Sequence, residues 1–142
     1  MSKGNTFENE LLGLIFNGTA IANLADDAAT SPLTDLYVSL HTADPGEAGD
    51  QTTNECAYTS YARVAVARTS GGWTITGNSV SPAANIDFPA ATGGTETATH
   101  VAIGTASTGT GKILYSGAIT PNISISTGVT PRIGTGSTIT ED

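Results

Sequence analysis

The chain has 142 residues and a formal net charge of −8, a length that suits one compact domain with its own core. The acidic balance argues against partners such as nucleic acid or an anionic membrane surface, because both require a cationic face. A single cysteine, Cys56, excludes an internal disulfide framework, and neither a signal peptide nor an apolar run of about 20 residues is present, so we expect a soluble protein made in a cytoplasm.

The first 30 residues predict an N-terminal helical arm. Asn5 and Glu8 have the spacing of a capping box, and Asn17-Gly18 supplies a stop signal. A second short helical turn is expected between Thr19 and Ala29, before Ser31-Pro32 ends it. Apolar residues recur at i, i+4, i+7 and i+8, which is one face of a helix. These residues are Phe7, Leu11, Leu14 and Ile15.

Residues 31–142 predict a single β-rich domain. From Leu36 onward apolar and polar residues alternate, and turn signals follow every few residues, as in antiparallel β proteins. Gly71-Gly72 predicts a hairpin between the strands on either side of it. Separate strands are expected at GKILYSGAI and NISIS, with TPN as the turn between them. The predicted fold class is therefore mainly β: a compact antiparallel sandwich or barrel-like domain preceded by the helical arm.

The stretch from Leu36 to Asp50, LYVSLHTADPGEAGD, contains a serine, a histidine and an aspartate within six positions. Alternation predicts that Ser39 and His41 point outward, about 7 Å apart at Cβ, which is beyond the reach of a nucleophile and its base. A calcium loop stays open as an alternative, because hard oxygen ligands cluster after the strand. These ligands would be Asp44, Glu47, Asp50 and Glu55.

Other chemical sites have weaker support, and we expect no catalytic, metal-binding or cofactor-binding residues. Gly104 to Lys112 resembles a phosphate loop but lacks the lysine spacing and the helix that such loops require. Asp87 and Glu96 are the best pair of acids for a hydrolase, without a supporting motif. Cys56 is expected to be a buried, unreactive thiol. A sugar-binding face could use the aromatic residues Trp73, Tyr37, Tyr58, Tyr61 and Tyr115.

Four stretches carry a resemblance to known proteins: NTFENELLGLIFNGTAIANL, LYVSLHTADPGEAG, YTSYARVAVARTSGGWTITGNSVSPAANIDFPAATGG and THVAIGTASTGTGKILYSGAI. Together they cover nearly the whole chain. It is similar to a family of small virion proteins from tailed bacteriophages and prophages, many of which are labelled phage tail fibre protein. The resemblance implies a structural, non-enzymatic virion protein that is made in the bacterial host.

The position in the virion has two alternatives. The short, aperiodic chain favours a head decoration or cement protein that sits on the outer capsid as a homotrimer, with the major capsid protein and copies of itself as partners. A tail fibre or tail-associated component that binds host receptors is the alternative. In the first case, the predicted partner contacts are Phe7, Leu11, Leu14, Ile15, Asp44, Pro45 and Glu47.

Overall fold

The computed structural model of the protein describes residues 5–21 and 32–141. Most of the predicted second helical turn and the predicted boundary between arm and β domain lie outside these residues. Within them, the elements are α1 (Asn5–Asn17), β1 (Asp35–His41), β2 (Val64–Ala67), β3 (Trp73–Thr76), β4 (Ser79–Pro82), β5 (Ile86–Asp87), β6 (Glu96–Gly104), β7 (Ile113–Ile125), β8 (Arg132–Ile133) and β9 (Ile139–Thr140). The predicted class, antiparallel β with one N-terminal helix, is confirmed and is consistent with a β-sandwich.

The chain divides into two compact units. The first comprises residues 1–35, 66–86 and 133–142, and the second comprises residues 36–65 and 87–132. The boundaries of these units differ from the predicted boundary between the helical arm and the β domain. The division into arm and domain stays a prediction. No helix in the described part of the chain is long and apolar enough to cross a bilayer.

In the first unit, α1 packs against β3 and β4. Its buried positions recur every four residues at Glu8, Leu12 and Phe16, and the Phe16 ring meets the Trp73 ring edge-on at 4.9 Å between centroids. The apolar stripe predicted from the sequence is therefore not the buried face of the helix. Its four residues stay exposed or half-buried: Phe7, Leu11, Leu14 and Ile15.

The end of α1 is fixed by a glycine and an arginine. The helix stops at Asn17, and Gly18 follows with a φ of 63°, as the stop signal predicts. The Arg68 guanidinium donates hydrogen bonds to the carbonyl oxygens of Leu14 and Ile15, which lack partners within the helix. A cation at this position also complements the negative end of the helix dipole.

The predicted hairpin at Gly71-Gly72 is wrong. β2 lies in a four-stranded sheet of order β2-β1-β6-β7, whereas β3 belongs to a three-stranded sheet of order β3-β4-β9. The actual hairpin joins β3 and β4 through Gly77-Asn78, since Thr76 pairs with Ser79. Gly77 has a φ of 60°, the left-handed conformation that a two-residue hairpin turn needs.

In the second unit, β6 lies between β1 and β7 and pairs with both in antiparallel orientation. The strands predicted at GKILYSGAI and NISIS are one strand, β7, so the predicted turn at TPN is also wrong. Ala118 pairs with His100 and Ile123 pairs with Ala98, so residues 119–122 bulge opposite Thr99. An edge strand tolerates Pro121 in such a bulge, because no ladder hydrogen bond is required from its nitrogen.

Candidate functional site

Residues 42–56, hereafter the cover segment, fold back over the polar face of β1. The Thr42 N–H donates to the Asn54 carbonyl, and the Cys56 N–H donates to the Leu40 carbonyl, each at 2.8 Å. His41 and Glu55 form a single antiparallel bridge between the two pieces of chain. The cover segment thus runs alongside the end of β1 and shields the face that the sequence predicted to be open.

Ser39 and His41 consequently lie in the interior, so the prediction that they point outward is wrong. Both residues have 0% of their surface exposed. The predicted lack of contact is wrong as well, because the Ser39 hydroxyl lies 2.9 Å from His41 Nε2. Side chains two apart on a strand share a face, and burial under the cover segment brings these two together.

The hydrogen bonds of His41 fix its tautomer. Nδ1 lies 2.8 Å from the Thr53 carbonyl oxygen, which can only accept, so Nδ1 carries the proton. Nε2 is then free to accept from the Ser39 hydroxyl. Burial lowers the pKa of His41 below its usual value, while the Thr53 hydrogen bond and the nearby Glu55 charge oppose that effect.

A serine, a histidine and a third group in line form the hydrogen-bond pattern of a nucleophile with its base. Here, however, the Ser39 oxygen is enclosed, and the third group is a neutral carbonyl in place of a carboxylate. A carbonyl orients the imidazole but supplies no charge to stabilise its protonated form. In this geometry, the pair joins the cover segment to β1.

An ion pair between Glu55 and Arg63 holds the end of the cover segment. Arg63 donates to both carboxylate oxygens, at 2.7 and 2.8 Å, and only 3% of its side chain is exposed. The Tyr61 hydroxyl donates to the same carboxylate and accepts the Leu40 N–H. Both charges therefore have several partners, which a buried pair requires in order to offset its loss of hydration.

The same arginine reaches the loop of residues 104–112, hereafter the glycine loop. Arg63 donates to the carbonyl oxygens of Ala106 and Gly109, each through a different nitrogen. The cation thus binds the loop backbone through carbonyl oxygens. A phosphate loop presents N–H groups to an anion, so this contact supports the hairpin-loop interpretation of the sequence.

Gln51 links the cover segment, β1 and the glycine loop from a fully buried position. Its amide nitrogen donates to the Tyr37 carbonyl, and its amide oxygen accepts the Ala106 N–H. A Cβ added at Gly104 or Gly111 would lie about 2 Å from this side chain, at 2.2 and 2.0 Å from its nearest atoms. These two glycines are therefore required by close packing against Gln51.

Sequence reasoning missed Gln51 and the Glu55–Arg63 pair as the centre of this arrangement. The available signal was composition, since a chain with only 5 basic residues places two of them, Arg63 and Arg68, directly beside the apolar run VAVA. An arginine in that setting usually has a carboxylate partner. Nothing in the sequence identified which carboxylate it was, because the seven residues between the two are irregular chain with no pattern that pairs them.

The predicted contact loop from Asp44 to Asp50 lies on the surface of the second unit. Asp44 accepts the Gly46 N–H in a local turn, Pro45 is buried, and Glu47 is exposed. Asp50 accepts both the N–H and the hydroxyl of Thr52, which lowers its pKa. In the described ranges, no group of three or more metal-binding side chains lies close enough together to hold an ion.

The other residues predicted for the partner contact belong to the first unit. Phe7 is 40% exposed, and Leu33 is a second large apolar residue with high exposure, at 42%. Leu11, Leu14 and Ile15 are half-buried. The helix therefore presents an apolar stripe to its surroundings, and the contact itself stays a prediction.

The two carboxylates considered for hydrolysis are both held by hydrogen-bond donors. Glu96 accepts the N–H groups of Ala57 and Tyr58, and Asp87 is paired with Arg132. The Arg132 hydrogen bond lowers the pKa of Asp87, whereas a catalytic acid needs a raised pKa. The arrangement favours a structural role for both carboxylates, as hydrogen-bond acceptors.

The remaining candidates are largely enclosed. Burial raises the pKa of the Cys56 thiol to about 12, which suppresses its reactivity. Trp73 is buried against Phe16, and Tyr58 and Tyr61 pack edge-on with their ring centroids 5.3 Å apart. Trp73 and Tyr58 are buried, and Tyr37, Tyr61 and Tyr115 are half-buried, so the packing interpretation is favoured over the alternative of an exposed sugar-binding face.

The buried imidazole makes stability depend on pH. Because burial lowers the folded-state pKa of His41, the unfolded chain binds a proton near the ordinary value of 6.5 while the folded chain does not. Stability is fully present above pH 6.5 and is lost as the pH falls from there toward the folded-state pKa, by at most about 1.4 kcal/mol per pH unit. The free energy of unfolding in urea, measured between pH 7.5 and 5.5, should therefore fall more steeply for wild type than for His41→Gln. Equal slopes for wild type and His41→Gln would contradict the assignment.

Removal of Arg63 tests the ion pair. Arg63→Met should lower the free energy of unfolding by about 3–5 kcal/mol, because Glu55 would stay enclosed without a counter-charge. Arg132→Met is the matched control, since its pair with Asp87 is exposed and should contribute about 0–1 kcal/mol. Urea titrations of both variants at pH 7 measure the difference, and a similar small loss in both would rule out a structural role for the buried pair.

Comparison with known proteins identifies a family. No curated protein matches the chain. The sequence model of the family described as "Podophage GP4 fiber I protein gp80" matches residues 2–141. This match confirms the resemblance to phage virion and tail fibre proteins. The chain belongs to the podophage GP4 fibre I protein gp80 family and is a phage structural, fibre-related protein.

Proposed function

We propose that this chain is a structural subunit of the fibre apparatus on the tail of a bacteriophage. The observation that carries the proposal is the family match from residue 2 to residue 141, because the family description itself names a fibre protein. The match covers residues of both compact units.

The arrangement of polar residues supports a structural role over an enzymatic one. The Ser39–His41 pair is enclosed beneath the cover segment, and both Glu96 and Asp87 are bound to donors. A catalytic group needs contact with substrate and a pKa suited to proton transfer. In the described structure, His41 and Glu96 bind backbone groups, and Asp87 is occupied by the Arg132 side chain.

The lack of a sequence repeat limits where in a fibre these residues can lie. An extended shaft needs periodic packing along its axis, and these 142 residues have no fixed repeat. The chain therefore suits an end of the fibre or its attachment to the tail. Its exposed hydroxyl-rich loops would face host or virion surfaces.

Head decoration is the second candidate, and one observation favours it. The helix carries a partly exposed apolar stripe of the kind that lies against neighbouring subunits, formed by Phe7, Leu11, Leu14 and Ile15. On the outer capsid surface this stripe would contact the major capsid protein, together with the loop that contains Asp44, Pro45 and Glu47. The homotrimer predicted for that role stays a prediction.

Imaging of intact virions distinguishes the two positions. Antibodies raised against the purified chain and labelled with gold should mark the tail or its fibres in negatively stained particles. Preincubation of phage with the same antibodies should also slow adsorption to host cells. Gold confined to the head, with normal adsorption, would contradict the fibre position and support decoration.

A further inference from the structure

The two histidines of the chain lie opposite each other in the second unit. The sequence contains only these two, His41 and His100, and they are register partners on β1 and β6. Side chains at directly opposite positions of antiparallel strands share a face of the sheet, with Cβ atoms about 5 Å apart. A proton on one imidazole therefore opposes a proton on the other. The first unit contains no histidine, so histidine titration acts on the second unit alone.

The hydrogen bonds of His41 leave no good place for a second proton. Nδ1 already donates to the Thr53 carbonyl, and Nε2 accepts from the Ser39 hydroxyl. A proton on Nε2 would turn the Ser39 hydroxyl toward its other acceptor, the Ala102 carbonyl, at 3.4 Å. That distance is well beyond the usual ~2.7–2.8 Å of an O–H···O bond. Both side chains are fully enclosed, so bulk water does not reach them to replace the weakened bond.

Three charged or titratable groups lie near His41 on other segments. Glu55 belongs to the cover segment, Arg63 directly precedes β2, and His100 lies on β6. Arg63 and His100 oppose a positive charge on the imidazole, whereas Glu55 favours one. The Glu55 carboxylate already accepts from Arg63 and from the Tyr61 hydroxyl. Burial is the largest effect, and it lowers the pKa of His41 in the folded unit.

We propose that His41 makes the second unit an acid-operated switch, in which proton uptake opens this unit while the first unit stays folded. The first unit encloses Phe16 and Trp73 in its own core. The second encloses Val38 and Leu40. Compact units with separate cores can open separately. The switch goes beyond the function proposed above and holds for a position on the tail or on the head.

Proton linkage gives the direction of the switch. Above pH 6.5, the ordinary value for histidine, His41 is neutral in both states and the closed unit keeps its full stability. As the pH falls below 6.5, the open unit binds a proton that the closed unit does not, so opening becomes easier by up to about tenfold per pH unit. Asp50 and Asp87, whose pKa values are also lowered, belong to the same unit, so stronger acid acts in the same direction.

The opening of each unit can be measured through a buried thiol. Cys56, the only cysteine of the chain, is buried in the second unit, and Val80 is buried in the first. Wild type reports on the second unit, and a chain with Val80→Cys and Cys56→Ala reports on the first. A pyridyl disulfide reagent, which still reacts in acid, gives the protection of each thiol as its rate relative to the urea-unfolded chain at the same pH.

In the full-length wild type, the protection of Cys56 should fall about tenfold between pH 7 and pH 5. The thiol of Val80→Cys should keep its protection over the same range. His41→Gln should abolish the fall at Cys56, because an amide takes up no proton. His100→Gln makes the same change on the facing strand and should keep most of the fall, because His41 is still present.

Constant protection of Cys56 from pH 7 to pH 5 would overturn the proposal. An equal fall for the thiol of Val80→Cys would also overturn it, because the chain would then open as a whole. A fall that persists in His41→Gln, or one that disappears in His100→Gln, would contradict the assignment to His41. If His41→Gln leaves Cys56 reactive at pH 7, the comparison of wild type with His100→Gln still decides.

Discussion

The second unit depends on the burial of β1 on both of its faces. Leu36, Val38 and Leu40 fill one face as an alternating strand should, but the opposite face carries Ser39 and His41 and is enclosed as well. Enclosed polar groups must find hydrogen-bond partners, because each unpaired one costs about 1–3 kcal/mol. The cover segment supplies these partners through the Thr53 carbonyl. It is held by the Glu55–Arg63 pair and by Gln51, which also fixes the glycine loop. The burial of the polar face of β1 thus determines the positions of the cover segment and the glycine loop.

The need to pair buried polar groups also explains which partners the few charged side chains have. Arg63, Arg68 and Arg132 each bind carbonyls or a carboxylate within one unit. Glu96 accepts two backbone N–H groups, and Glu55 accepts from an arginine and a tyrosine. The described surface otherwise carries hydroxyl groups and exposed acids such as Asp44 and Glu47. The family of the chain is that of a phage structural, fibre-related protein.

Sequence reasoning predicted the fold class and the end of α1, because alternation, glycine and asparagine act locally. It failed where distant segments decided the outcome. The alternation in β1 predicted an open polar face, but the cover segment, which lies later in the chain, binds His41 on that face. The apolar stripe of α1 is real, yet Leu12 and Phe16 form the buried face because Trp73 packs there. The sequence predicted turns between paired strands at Gly71-Gly72 and at Pro121. Gly71-Gly72 instead connects strands of two different sheets, and Pro121 lies in a bulge of β7. In both cases, the strands pair with partners that are far away in the sequence. The sequence could not predict the Glu55–Arg63 contact either, because no local pattern links these two residues.

Amide hydrogen exchange of the cover segment tests the central claim most directly. The N–H groups of Thr42, Gln51 and Cys56 donate to Asn54, Gly111 and Leu40. If the cover segment is a permanent part of the core, these three amides should exchange as slowly as the amides of β1 and β6, since all would open only with the unit as a whole. Exchange of the three at the rate of an open loop, with β1 and β6 still protected, would show that the segment opens by itself and would contradict the account.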